Sequence, residues 1–159
     1  MMNQARNVLQ FTIWYQITEK EKIMENRYLY KAKTTPKEKG EFNNVWVTGN
    51  LIVSNGKHYI HPVGNVVNVK NETGRIIVMH EVIPDTICQC TGSKDKNGKL
   101  IWENDIVKTS GHIFVCYWDE YNFEWGLKSK THTFGLGYID KWLIEVIGNI
   151  FDNQELLEV

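Results

Sequence analysis

Five acidic side chains lie close together in the second half of the chain, and paired carboxylates can perform general acid and base chemistry. The other groups that such chemistry needs are missing. No Asp or Glu stands two residues before a Lys, the spacing with which restriction-type nucleases hold a metal and a base. Turn-forming and solvated roles explain these carboxylates better, and we predict no enzyme and no catalytic residues. The five are Glu103, Asp105, Asp119, Glu120 and Glu124.

The cysteines and histidines do not have the spacing of a metal site. Cys88 and Cys90 are two apart in an apolar run, so on a strand they share one face. His58 and His61 would point to opposite faces of a strand. With Cys116, the cysteines are an odd number without a Cys-x-x-Cys pair, which favours reduced thiols in a cytoplasm. We predict neither a metal nor a cofactor.

Nucleophilic and phosphate-binding chemistry are also poorly supported. Cys116 and His112 could act as nucleophile and base, but four residues of strand place them roughly 13 Å apart. Gly135-x-Gly137 is a lone glycine pair. The segment from Thr91 to Lys94 lacks the upstream glycine and the following helix of a phosphate-binding loop.

The element that must position most of these groups is the stretch from Thr91 to Lys108, which contains two turns. Asp95-Lys96-Asn97-Gly98 is a turn, because Asp can accept a bond from the backbone two residues on and Asn-Gly tolerates positive φ angles. Glu103-Asn104-Asp105 is the second turn and leads into a strand at Ile106. Two reversals this close predict a β corner.

This stretch resembles the central motif of the YopX family, small proteins encoded by bacteriophages and prophages. Cys90, Ser93 and Asn104 stand where family members usually have Tyr, Leu and Gly. Asn is the commonest substitute for Gly at a positive φ angle, so Asn104 is compatible with the same backbone. The resemblance runs from about Met24 to the C-terminus. The matching residues that we treat as a structural motif are Thr91, Gly92, Lys94, Asp95, Asn97, Gly98, Glu103 and Asp105.

The resemblance implies a mainly β chain with an SH3-like small barrel in its C-terminal part, of unknown function and without established catalytic residues. We divide the chain into a leader at 1–23 outside the resemblance, an N-terminal β-meander at 24–84 and the barrel at 85–159. We expect the leader to be disordered or marginally structured. With no targeting or membrane segment recognised, the protein should be cytoplasmic in a bacterial host.

Alternation and turn signals place the strands. Arg27 to Ala32 opens the meander, Trp46 to Val53 and Lys57 to Pro62 form a hairpin, and Val63 to Val69 and Arg75 to Ile83 follow. In the second part, His112 to Trp118 and Phe123 to Leu127 form an aromatic hairpin that closes the core, and Leu143 to Ile150 is the last strand. Asp152-Asn153-Gln154 caps a short terminal helix through Leu157.

Net charge is −1, but its distribution is uneven. Residues 1–84 carry 11 Lys and Arg against 7 Asp and Glu, and residues 85–159 carry 7 against 12. Such asymmetry suits two solvated faces, or halves that meet within a chain or head to tail between chains.

Two binding hypotheses follow. The preferred one is a module for oligomerisation or a protein partner, with aromatic contacts from Trp102, Trp118, Tyr121 and Trp125. The alternative is a nucleic-acid-binding small barrel, which the acidic C-terminal half disfavours. Its phosphate contacts would be Lys31, Lys33, Lys37 and Lys39, or Lys94, Lys96 and Lys99.

Overall fold

The structure is a computed structural model that describes residues 26–36, 44–63, 70–71, 74–75 and 79–158. The leader at 1–23 lies outside the described residues, as do Lys37 and Lys39, positions 64–69 and positions 76–78 of the predicted meander. The strands, in chain order, are β1 (Tyr30–Lys33), β2 (Trp46–Ser54), β3 (Lys57–Pro62), β4 (Lys70–Asn71), β5 (Gly74–Arg75), β6 (His80–Glu81), β7 (Cys88–Lys94), β8 (Leu100–Trp102), β9 (Asp105–Thr109), β10 (His112–Asp119), β11 (Glu124–Lys128), β12 (Thr133–Gly135) and β13 (Glu145–Asn149).

Six strands form the first sheet, in the order β6-β3-β2-β1-β7-β8. Its best-predicted part is the β2–β3 hairpin, whose bounds match the sequence pattern closely. Asn55 and Gly56 have φ angles of 51° and 74°, the two positive values that a tight hairpin turn of this kind requires. The opening strand was predicted from Arg27, but β1 begins at Tyr30. Its buried Ala32 packs with Ile60 and Val82.

Five strands form the second sheet, in the order β12-β11-β10-β9-β13. The central strand β10 alternates as predicted, with Phe114 and Cys116 buried. Their core also contains Val107 of β9 and Leu127 of β11. Val146 of the edge strand β13 belongs to the same core. The pairing of β9 with β13 has an irregular register between Val146 and Gly148. The mainly β class is therefore confirmed.

The predicted SH3-like small barrel does not form a closed barrel in the described part of the chain, which has open sheets instead. The reason is the pairing of β7. A barrel built from residues 85–159 alone would need β7 to pair only with strands of the C-terminal part. In the structure, β7 pairs with β1, so that Cys88 lies opposite Lys31 and Gln89 opposite Tyr30. The corner after β8 then sends β9 into the second sheet, where β12 and β13 lie at opposite edges.

Within the described residues from 79 to 158, the helices are short turns of 3-10 type at Pro84–Thr86, Leu136–Tyr138, Lys141–Leu143 and Gln154–Leu157. The last confirms the predicted terminal helix, although Asn153 does not cap it with its side chain. The Asn153 side chain instead accepts a bond from the backbone N–H of Asn149 at 3.3 Å. No helix among the described residues has the length and apolar content needed to cross a membrane.

Candidate functional site

The first turn of the central motif is organised by the buried carboxylate of Asp95. Its Oδ1 accepts from the backbone N–H groups of Asn97 at 2.8 Å and Lys99 at 2.9 Å. Its Oδ2 accepts from the N–H of Val146 in β13 at 3.0 Å. Burial alone would raise the pKa of Asp95, but these three donors outweigh it and hold the pKa below its ordinary value. The predicted turn is thus also attached to the second sheet.

The second turn of the motif is the corner between the two sheets, as the paired reversals predicted. Asn104 has a φ angle of 63°, which confirms that it occupies a position suited to glycine. Its N–H donates to the Cys116 carbonyl at 2.8 Å, and its carbonyl accepts from the Ile150 N–H at 3.0 Å. On the other side, the N–H of Glu103 donates to the Gln89 carbonyl in β7 at 2.9 Å.

An ion pair crosses the two sheets at this corner. Lys31 Nζ of β1 lies 2.5 Å from Oδ1 of Asp105 in β9, and Asp105 is only 2% exposed. The other carboxylate oxygen accepts from the Trp102 N–H at 2.9 Å. Burial raises the pKa of Asp105, and the Lys31 ammonium opposes that rise. The same ammonium lies 5.1 Å from the ring centroid of Trp46 and 5.5 Å from that of Trp102.

A second carboxylate extends this network to the C-terminal segment. Asp152 pairs with Lys33 of β1 and accepts from Trp46 Nε1 at 2.6 Å and from Asn149 Nδ2 at 2.9 Å. Burial works against it, but these donors lower the pKa of Asp152 to about 2. Trp46 also packs on Phe151, with ring centroids 5.8 Å apart.

The turn between β10 and β11 is built around Asp119. Its Oδ1 accepts from the N–H groups of Tyr121 at 2.9 Å and Asn122 at 3.2 Å, and its Oδ2 accepts from Asn122 Nδ2 at 2.9 Å. Hydrogen bonds, chiefly those from Asn122, lower the pKa of Asp119. Phe123 closes the turn with a φ angle of 55°, which is rare for a bulky side chain. These bonds define the geometry of the segment from Trp118 to Phe123, here called the hairpin tip.

The hairpin tip presents aromatic rings to solvent. Tyr121 is 89% exposed, Phe123 79% and Trp118 41%. Trp118 lies opposite Trp125 on the neighbouring strand, with ring centroids 5.2 Å apart in an edge-on arrangement. Trp125 in turn packs against the core of the second sheet. The tip is therefore an aromatic surface supported from below by the core.

A cleft of about 670 Å³ lies at the other end of the same hairpin. It runs between β10, the loop after β11 and the terminal 3-10 turn, and it is here called the β10 cleft. The apolar side chains that line it include Ile113, Val115, Leu156 and Leu157. Basic groups line it as well: Lys128, Lys130, His112 and His132. Among the described residues that line it, none is acidic.

A comparison with protein families supports the resemblance seen in the motif. A family model described as YopX protein matches residues 22–158. The chain belongs to the YopX family. A search of curated proteins finds no match. For this YopX-family chain, the geometry above shows what the motif does locally: Asp95, Asn104 and Asp105 connect its two turns to the second sheet and to β1.

The remaining motif residues of the YopX chain have local roles. Thr91 Oγ1 donates to the Ile101 carbonyl at 2.8 Å and accepts from the Ser93 N–H at 3.0 Å. Gly92 and Gly98 have φ angles of 78° and 79°. The side chain of Lys94 is exposed.

The five carboxylates are divided among separate local structures. Asp105 is in the ion pair and Asp119 is inside the hairpin tip. A Glu103 oxygen lies 3.4 Å from the N–H of Gln89. Glu124 lies against Gly135, where an added Cβ would come within 2.6 Å of its carboxylate. Glu120 is exposed beside the tip aromatics.

The aromatics predicted for interaction have different environments. Trp102 is only 8% exposed, because it packs with Cys88 and Cys90 under the Lys31 ammonium. It is therefore not an exposed contact. The prediction that the aromatic hairpin closes the core holds for Trp125 but is wrong for Phe123, which follows a turn and points to solvent.

The thiols and imidazoles of the YopX chain are not gathered together. All three cysteines are free and buried, and Cys88 and Cys90 share one cluster, as their spacing predicted. Burial raises the pKa of Cys88 to about 11 and raises that of Cys116 further. His112 is exposed while Cys116 is buried. Across the described ranges, no group of three His, Cys, Asp or Glu has the geometry of a metal site.

Sequence reasoning missed the ion-pair network, Phe123 and the β10 cleft. Lys31 and Lys33 alternate as on a solvated strand face. Nothing nearby in the sequence indicates that they form ion pairs with Asp105 and Asp152. For the cleft, a signal was present. Lys128 and Lys130 are close in sequence within an otherwise acidic half, and counting charge over the whole half concealed them.

Proposed function

We propose that this protein is a non-catalytic interaction module that associates with copies of itself, and that the hairpin tip is its contact surface. The observation that carries the proposal is the exposure of Tyr121 and Phe123, at 89% and 79%, on a turn organised by Asp119. Large aromatic side chains on soluble proteins are usually mostly covered. Aromatic residues are also enriched at the centres of protein interfaces.

The construction of the tip supports this role. Aromatic side chains bring a large contact area and have few rotatable bonds, so little conformational entropy is lost on binding. The bonds from Asp119 hold the turn before a partner arrives, which lowers the cost of association further. Trp118 and Trp125 support the turn, because they contact each other and Trp125 packs against the core.

The setting that we propose follows from the family and the thiols. YopX-like proteins are expected from bacteriophages and prophages, and this would place the protein in the cytoplasm of a bacterial host. Three free cysteines without a disulfide suit a reducing compartment.

Self-association can be measured with sedimentation and light scattering over a wide range of concentration. We expect a defined oligomer, and we expect Tyr121→Ala to weaken its association by about thirtyfold or more, because a central aromatic anchor would be lost. The matched control is Tyr28→Ala, which removes a tyrosine that is 66% exposed and precedes the first sheet. A monomeric wild type at every concentration would overturn the proposal, and so would equal losses in the two variants.

The alternative is nucleic-acid binding by a small-barrel protein, and its lysines are partly engaged. Lys31, Lys33 and Lys96 pair with Asp105, Asp152 and Glu145. Lys94 and Lys99 are exposed. A monomer whose mass changes only on addition of short DNA or RNA, with weaker binding at higher salt, would favour this alternative over self-association.

A further inference from the structure

We propose that the hairpin tip of one copy docks into the β10 cleft of a second copy, giving a head-to-tail contact. This inference rests on the proposed function and names the surface that receives the tip. The two surfaces match in chemistry and lie at opposite ends of one hairpin.

The chemistry of the β10 cleft suits an aromatic and acidic occupant. Its apolar side chains include Ile113, Val115 and Leu157, and Lys128 and Lys130 add positive charge. The volume of about 670 Å³ falls in the range of roughly 300–1,000 Å³ typical of clefts that bind organic groups. An aromatic ring would cover the apolar surface while a carboxylate met the ammonium groups.

The hairpin tip has the complementary composition. Tyr121 and Phe123 are its most exposed aromatic side chains, and Glu120 is exposed beside them. Asp119 adds a second negative charge, because hydrogen bonds, chiefly from Asn122, hold its pKa below the ordinary value. Opposite charge on the two surfaces favours encounters that bring a tip to a cleft, and it disfavours tip-to-tip or cleft-to-cleft contacts.

The positions of the two surfaces require that docking occurs between copies. The tip lies at one end of β10, after Asp119, and the cleft lies at the other end, around His112 and Ile113. The cleft-lining part of β10 extends from His112 to Val115, so four to seven residue steps of strand, roughly 13–23 Å, separate it from Asp119, and a tip cannot enter the cleft of its own chain. A contact between unlike surfaces is heterologous, and its repetition produces a ring or a filament.

A mixing experiment tests the proposal with two variants of the full chain. The tip variant is Tyr121→Ala with Phe123→Ala, and the cleft variant is Lys130→Glu with Leu157→Ser. Each retains one intact surface, so we expect each alone to be monomeric and an equal mixture to form a two-chain species that grows no further. The control for the charge change is Lys141→Glu, at an exposed lysine of the turn Lys141–Leu143, which should assemble like wild type.

The outcomes separate this inference from the proposed function. If the tip variant is monomeric but the cleft variant assembles normally, the tip is a contact but the cleft is not its receptor, and the inference is wrong. The same conclusion follows if both variants are monomeric and mixing restores nothing. Restored pairing supports the inference and also shows that both variants are folded.

Discussion

At the scale of single residues, aspartate organises three turns of this protein. Asp95, Asp119 and Asp140 each accept from backbone N–H groups within the next few residues. A charged acceptor makes stronger bonds to N–H donors than a neutral one, and Asp is short enough to reach its own turn. Asp95 differs from the others because it also reaches Val146, 51 positions away in the chain.

We expect Asp95→Ala to lower the free energy of unfolding by about 3 kcal/mol, because three backbone N–H groups lose their acceptor. Urea denaturation measures this loss. The control is Asp140→Ala, which removes one bond to the Trp142 N–H at the start of an exposed turn and should cost about 1 kcal/mol or less. Equal costs would show that the link to β13 contributes nothing.

The acid dependence of Asp95 gives a second check on the same variant. Its folded pKa is below the ordinary 3.8, so the unfolded chain binds more protons between these two values. The contribution of the Asp95 charge to the free energy of unfolding is therefore fully present above the ordinary pKa. It is lost as the pH falls through the lowered pKa of the folded state. The loss of unfolding free energy in Asp95→Ala relative to wild type should therefore become smaller as the pH falls through this range.

At the scale of elements, the β2–β3 hairpin depends on one close approach. Gly49 lies opposite Pro62, and a Cβ added there would stand 2.0 Å from the His61 carbonyl oxygen. This neighbour is backbone, which cannot rotate away. Only glycine therefore allows the two strands to pair at this position.

Gly49→Ala should therefore destabilise the protein by about 3 kcal/mol or more, because the strands must separate to admit the methyl group. Thermal unfolding followed by circular dichroism will report the change. Gly137→Ala is the matched control, since its Cβ would meet nothing within 4 Å. Unchanged melting of Gly49→Ala would contradict the close approach.

The local elements were predictable because their signals are local. Asn55-Gly56 set the β2–β3 turn, and alternation placed β10. Asn104 was recognised as a glycine-like position because asparagine tolerates positive φ angles. Phe123 has the same φ sign, but nothing in the residue type predicts it, so its exposure was missed.

The sheet arrangement was not predictable by the same means. The pairing of β1 with β7 joins residues about 60 positions apart, and alternation within each strand does not identify the partner. The resemblance implied an SH3-like small barrel over 85–159, but β7 pairs with β1 of the N-terminal part. The hairpin tip was partly found, through Trp118 and Tyr121, whereas the β10 cleft combines three segments that only the fold brings together.

At the scale of the whole molecule, the two sheets are joined by charge as well as by the chain. Lys31 belongs to the first sheet and Asp105 to the second, and the pair is almost wholly buried. Removing one partner of a buried ion pair is costly because the other charge remains without compensation. The pair is therefore a sensitive point for the relation between the sheets.

We expect Lys31→Met to lower the free energy of unfolding by about 3 kcal/mol at neutral pH. Burial would then raise the pKa of Asp105 without the opposing Lys31 charge, so the deficit in stability relative to wild type should shrink as the pH is lowered and the carboxyl becomes neutral. Denaturant titrations at several pH values measure both effects.

Lys57→Met is the control for the loss of a lysine, because its pair with Glu81 is exposed and should contribute little. Combining Lys31→Met with Asp105→Asn should cost less than the sum of the two single changes, since no buried charge is left. Additive costs would show that the two side chains do not act as a pair.

Burial of the three cysteines protects their sulfur atoms from chemical attack in the folded protein. Burial keeps their thiols protonated at neutral pH, and a protonated thiol neither attacks a disulfide nor reacts readily with oxidants. Cys116 lies in the core of the second sheet, and Cys88 and Cys90 lie in the cluster around Trp102. Reaction of these cysteines must wait until these regions open, so cysteine oxidation would mark only those molecules that have begun to unfold.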